Sequence, residues 1–188
     1  MRQNTYFQIM VLLNALLFFA AMPISASENV ASKMIETEAG ELILSQTLVV
    51  NSNIEKVWEA YTTSSGWQSW AAPKAEIELK VAGTIKTHYG PDKSIGDPGT
   101  ITLNIVNYVP FKALTLQAQL SEHWPNIMKE DAENLMNLIV FEELSNDRVK
   151  INSYGVGYRN LPEYLELMNY FIPANESLLE KLKNYVEK

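Results

Sequence analysis

Two periodicities, and the point where one replaces the other, set the limits on this chain. Between Ile77 and Val156 apolar and polar residues alternate in short runs, the spacing that gives a strand one dry face. Ile77, Leu79 and Val81 alternate with Glu76, Glu78 and Lys80. Ile101, Leu103 and Ile105 alternate with Thr100, Thr102 and Asn104, and Leu114, Leu116, Ala118 and Leu120 with Thr115, Gln117 and Gln119. Beyond Leu161 the period becomes helical. Leu161, Tyr164, Leu165, Met168 and Ile172 share one helical face, which Leu179, Leu182 and Val186 continue. Pro162 suits a first helical turn, and Pro173 is expected to kink or interrupt the helix near Tyr170.

Ahead of these runs, Glu41 to Val50 reads as a strand rich in β-branched residues. Ser52-Asn53-Ile54-Glu55 matches a capping box and predicts a short helix to about Thr63. Ser64-Ser65-Gly66 breaks it, and Trp67 and Trp70 follow in a turn or a second short helix. Thr84 to Tyr89, Asn137 to Leu144 and Arg148 to Val156 read as further strands. The fold class is therefore α+β: a curved antiparallel β-sheet of about six to seven strands wrapped around a long C-terminal helix, with short helices after the first strand. A dry sheet face must be covered, and the last helix is the only large cover. A curved sheet gripping one helix leaves a space at its wide end, where a ligand fits.

The first 26 residues read as an address. Arg2 is the only charge before Glu28, and Ile9 to Met22 is apolar apart from Asn14. Small residues follow at Ser25-Ala26-Ser27. This is the order of a secretory signal peptide, with cleavage expected after Ala26. The apolar run falls short of the ~20 residues that cross a bilayer. The expectation is an exported chain, periplasmic or secreted, with no stable membrane insertion after cleavage. Residues 27–40 are expected to be a flexible lead-in, and residues 41–188 one ligand-binding domain. The chain has 188 residues, no cysteine and a net charge of −7. Disulfides, thiolate metal sites, cysteine nucleophiles and a lipobox are thereby excluded. The acidic balance disfavours nucleic acid and anionic membranes as partners.

The stretch Val49-Val50-Asn51-Ser52-Asn53-Ile54-Glu55-Lys56-Val57-Trp58-Glu59-Ala60, then Trp70-Ala71-Ala72-Pro73 and Ala82-Gly83-Thr84, resembles the START-like (SRPBCC) superfamily. Within it the chain resembles the branch named for the activator of the Hsp90 ATPase homologue. Gly155-Val156-Gly157 is similar to the exit that leads into that branch's last helix. The resemblance implies a helix-grip fold and a cavity for a hydrophobic or amphipathic small molecule, lipid- or polyketide-like. It does not fix a function, because the superfamily carries several. The chain departs from the pattern in a polar insertion, Ser121 to Glu133, and in its export signal. Export argues against an Hsp90 role, since neither the chaperone nor ATP is expected outside the cytosol.

Candidate pocket-lining residues are Tyr89, Asn107, Trp124, Tyr154, Tyr164 and Met168. Rings with one polar tip suit a mostly dry cavity. Asn107 falls in phase with Ile101, Leu103 and Ile105, so its amide would need a partner that a ligand can supply. His123, in the insertion, is a candidate for the pocket mouth. His88 is expected on the exposed face of its strand. The two histidines lack metal-ligand spacing, no G-x-S-x-G elbow is present, and no metal or cofactor is implied. Glu142 and Glu143 must point to opposite faces; an inward one would be a candidate acid. The favoured reading is a binding protein for a small hydrophobic molecule. The alternatives are a cyclase- or hydrolase-type enzyme using Glu142 or His123, and a protein-interaction module of the cell envelope. The sequence names no protein partner.

Overall fold

A computed structural model describes residues 29–188; the expected signal peptide at 1–26 lies outside them. Eight strands form one antiparallel sheet in the order β1-β2-β8-β7-β6-β5-β4-β3. They are β1 Ala31–Glu36, β2 Glu41–Val50, β3 Lys74–Ile77, β4 Thr84–His88, β5 Ile101–Val109, β6 Ala113–Ala118, β7 Met136–Ser145 and β8 Arg148–Arg159. The helices are α1 Ile54–Thr62, α2 Ser64–Trp70, α3 Asn126–Glu130 and α4 Pro162–Val186. This is the helix-grip arrangement expected from the two periods, with one strand more.

The extra strand corrects the flexible lead-in. Ala31–Glu36 pairs with β2 from Ala31↔Thr47 to Glu36↔Leu42, turning at Gly40 with φ +79°. An edge strand that is mostly exposed needs no dry face, so its sequence shows no period. Two other expectations shift. The strand expected through Val81 ends at Ile77, where Gly83 N–H bonds the Lys80 carbonyl in a tight turn. Helix α4 runs unbroken through Pro173. Proline removes one donor there, but Pro173 and Ala174 face solvent, where water can satisfy the freed carbonyl.

Helices α1 and α2 meet at Thr63, which caps both. Its Oγ1 donates to the Glu59 carbonyl at 2.8 Å and accepts from Gly66 N–H at 3.0 Å. The true N-cap of α1 is Asn53, one residue beyond the expected Ser52; its side chain accepts from Lys56 N–H at 2.8 Å. The last carbonyls of α1 are taken by indoles: Trp67 Nε1 donates to Tyr61 O at 2.7 Å and Trp70 Nε1 to Ala60 O at 2.9 Å. A helix end without partners would be costly in the interior, so these two rings are fixed by the helix they cap.

The core is split. One cluster joins α1, α2, the inner face of the sheet and the C-terminal half of α4 through Leu179, Leu182 and Val186. A second, smaller cluster holds Met128, Leu135 and Tyr164, with Trp124, Leu161 and Tyr158 packed against it. It is built by the insertion and the N-terminal half of α4. No helix among the described residues is long and apolar enough to cross a membrane.

Gly157 ties β8 to this second cluster. Its φ is +89°, and a Cβ there would collide with the Asn134 carbonyl. Gly157→Ala is expected to destabilise the fold by about 2 kcal/mol or more, read as a lowered urea midpoint with unchanged slope.

Candidate functional site

Between the concave face of the sheet and α4 lies a cavity of about 310 Å³. The strands contribute Gln46 from β2, Thr87 from β4, Leu103 from β5, Leu116 and Ala118 from β6, Ile139 from β7 and Ser153 from β8. Tyr61, Trp67 and Trp70 form the wall on the α1–α2 side, and Asn175, Leu178 and Leu179 of α4 the roof. A smaller void of about 150 Å³ adjoins it beneath the insertion, lined by Met128, Leu135 and Tyr158. Leu103, Leu116, Ala118 and Asn137 border both. No charged side chain lines either void. Burial pushes the Tyr61 hydroxyl well above its ordinary pKa, and raises Tyr89 in the same direction, so both stay neutral at physiological pH.

Trp124 and Ile101 border the inner cavity and also an outer recess of about 290 Å³. Pro98, Gly99, Gln119 and His123 line that recess. Trp124 and Ile101 thus stand between the cavity and the recess. His123 sits on the outer side with its side chain 86% exposed, 3.8 Å from Glu122.

Of the residues expected to line the pocket, Tyr89 and Trp124 do so, Tyr89 from the rim at 52% exposed. Four do not. A register shift between Ile105 and Asn107 reverses the phase of β5, so Asn107 is exposed and accepts from Thr115 Oγ1 at 2.8 Å. Tyr108 turns to the core instead, its ring 6.4 Å from that of Trp58. Tyr154 has the wrong parity: Val149, Ile151 and Ser153 face inward, and Tyr154 lies on the opposite face. Met168 is buried but borders neither void. Tyr164 is fully buried in the second cluster as a strut. The residues that sequence reasoning missed are Asn137, Ser153 and Gln46. Alternation marked the first two, since Asn137 is in phase with Ile139 and Phe141.

His88, expected in solvent, is buried under the loop that follows β4. Its Nδ1 accepts from Gly90 N–H at 2.9 Å, which leaves Nε2 to donate to the Pro98 carbonyl at 3.1 Å. It clamps that loop and does not line the cavity. Glu142 is exposed and pairs with Lys150 at 3.3 Å, and Glu143 is exposed beside it. The carboxyl and imidazole groups considered for catalysis therefore lie outside the cavity. Among the described residues no cluster of acids and histidines is placed to hold a metal ion.

A larger depression of about 750 Å³ is an open groove on the outer surface between α3 and α4, with Glu130, Arg159 and Glu166 on its walls. Behind it, Tyr164 donates to Asp131 Oδ2 at 2.8 Å and Arg159 Nε to the same oxygen at 2.7 Å. The groove lies on the outer surface, whereas the cavity lies between sheet and helix and opens at the rim formed by Tyr89 and Ile101.

The fold and its interior cavity define a helix-grip protein. A family profile described as activator of Hsp90 ATPase homolog 1-like protein matches residues 51–187, and the chain belongs to that family. Among solved structures, a protein from Arthrobacter aurescens is similar with a TM-score of 0.60 at 14% identity, covering 82% of this chain and 90% of that one. CalU16 from Micromonospora echinospora is similar at 0.59 and 13% identity, over 86% and 76%. The Aha1 dimer from Colwellia psychrerythraea is similar at 0.58 and 16% identity, over 77% and 96%. At these identities the likeness is one of fold. No curated protein compared with the chain matches it.

Desolvation pushes the Asp131 carboxyl upward, but hydrogen bonds from Arg159 and Tyr164 and the Arg159 charge outweigh it, leaving its pKa below the ordinary carboxylate value. A folded pKa lower than the unfolded one adds stability that is present above the ordinary range and is lost as pH falls through the folded value. Asp131→Asn is therefore expected to lower the melting temperature at pH 7, with the gap to the native chain closing as the pH is taken well below 4. Tyr164→Phe should cost about 1–2 kcal/mol at pH 7, and the two changes should be less than additive in a double-mutant cycle.

Proposed function

We propose that this protein binds a hydrophobic or amphipathic small molecule in the cavity between sheet and α4, and that it does so after export. The observation that carries the reading is the partly open cavity of about 310 Å³ between sheet and helix, lined by tryptophans and aliphatic side chains with several neutral polar groups. That volume is at the lower end of the range for small-molecule sites. Affinity would come from apolar burial at about 25 cal/mol per Å², less the costs of association. Family membership supports the reading, since folds of this kind commonly enclose hydrophobic ligands. The ligand's route in is past Trp124, which with Ile101 stands between cavity and recess.

Export rests on the order of charge, apolar run and small residues in the first 26 positions. An exported chain has no access to the cytosolic chaperone for which the family is named.

Native mass spectrometry of the chain purified from its own host is expected to show an added mass of a small molecule. Ala118 borders both voids, so Ala118→Phe should remove that mass while circular dichroism stays unchanged. A ligand-free spectrum in the native chain, or an unchanged adduct in the variant, would count decisively against the cavity as the site. Amino-terminal sequencing of protein from the envelope or medium should begin near Ser27. An intact Met1 on protein confined to the cytosol would remove the export reading.

A further inference from the structure

Thr87, Asn175 and Asn137 bring polar groups to the larger void that make no donor bond among the described residues, and of the amides that line it only Asn137 also borders the smaller one. Ser153 Oγ donates to Asn137 Oδ1 at 2.9 Å, which spends the amide's acceptor on the protein. The Asn137 amide nitrogen has no hydrogen-bond partner among the described residues, and its two donors remain available. Asn137 stands mid-sheet, paired with Leu116 on β6 and Gly155 on β8, where a side chain on the inner face would ordinarily be apolar. It is exposed and borders both voids. Leu103, Leu116, Ala118 and Ile139 surround it, so a hydrogen bond formed there gains from the low local dielectric.

The second observation is charge. Neither void offers a cation or an anion, so a carboxylate or ammonium carried inside would lose its hydration without a counter-charge. The third is the lining: Trp67, Trp70 and Trp124 all border the larger void, and aromatic rings suit a ring-shaped guest.

We infer that the ligand is an uncharged ring compound bearing a carbonyl-type acceptor, and that Asn137, held by Ser153, is the residue that reads this acceptor. This rests on the carrier reading above and narrows it: fatty acids and other anionic lipids are excluded by the same site that accepts a neutral ketone. Asn137 acts as a specificity residue, and no covalent step is involved.

Three probes of one ring pair separate the contributions: tetralin, 1-tetralone and 5,6,7,8-tetrahydro-2-naphthoate. Affinities are read from amide shifts in nitrogen-15 NMR titrations of the mature chain. A net neutral hydrogen bond is worth about fivefold in affinity, so 1-tetralone should bind about fivefold tighter than tetralin. The carboxylate should bind at least about tenfold weaker than the ketone, because its charge is buried without a partner. In Asn137→Leu, of similar size and without donors, the ketone preference should fall to about one while tetralin affinity changes less than about twofold. Asn137→Asp, which swaps the donors for a carboxylate, should also abolish the ketone preference. A ketone preference that survives in both variants, its absence in the native chain, or a carboxylate that binds as well as the ketone would each overturn the inference while leaving the carrier reading intact. If none of the probes shifts the resonances of Ala118, Ile139 and Trp124, the inference falls, while the added mass on host-purified protein decides the carrier reading separately.

Discussion

One long helix closes the concave face of an eight-stranded sheet beside α1 and α2, and its two halves enter different clusters. The C-terminal half of α4 sends Leu179, Leu182 and Val186 into the main core. The N-terminal half sends Tyr164 into the second cluster. Between them the helix turns Pro173 and Ala174 to solvent, its Ile172 carbonyl accepts from the Gln46 side chain of β2 at 3.5 Å, and Asn175 and Leu178 line the cavity. A protein interior is ordinarily close-packed, and a void forfeits dispersion contacts on its lining. Here the small residues Ala118 and Ser153 sit where larger side chains would close the gap. The lost packing can be recovered by a guest, because a ligand that binds only the folded state stabilises it by mass action. The cavity and the division of the core are the same fact seen from two sides.

Rigid walls make such a space useful. Trp67 and Trp70 are held by hydrogen bonds to the last carbonyls of α1, so their orientation is set before any guest arrives. Fixing a binding surface in advance lowers the entropy lost on association. The Ser153–Asn137 bond does the same for the amide at the junction of the voids. The polar insertion belongs to this frame as well: it carries Trp124, which borders both cavity and recess, and is fastened to the start of α4 through Asp131, Arg159 and Tyr164. A shift at the mouth must therefore work against the helix that roofs the cavity.

The fold class was readable because the two periods are distinct, short alternating runs for the strands and one long helical run after Leu161, and the closing helix could have only one surface to cover. The eighth strand was not readable, since β1 sits at an edge and buries almost nothing. Among site residues the failures share a cause. Asn107 was placed by extrapolating alternation across a bulge, and a bulge leaves no mark in residue type alone. Tyr154 was chosen for its chemistry against its parity: Ser153, one residue earlier, carries the inward phase of Val149 and Ile151. Tyr164 and Met168 lie on the expected helical face but touch the second cluster or plain core, a division that no period encodes. His88 obeyed its parity, and the loop after β4 folded over it. Where the strands stayed regular, position predicted the lining better than residue chemistry did.

The same preference against anions is built at two depths. The chain's net charge of −7 lies on side chains outside the voids, so an anion is disfavoured before it reaches the recess. Inside, it would meet only neutral amides, hydroxyls and rings, with burial holding the tyrosines protonated. The outer effect is screened by salt over about 8–10 Å at physiological ionic strength; the inner one is a desolvation cost that salt does not reach. A ligand class selected in this way would remain selected at high salt, because the part of the discrimination that survives screening is the part made by the sheet itself.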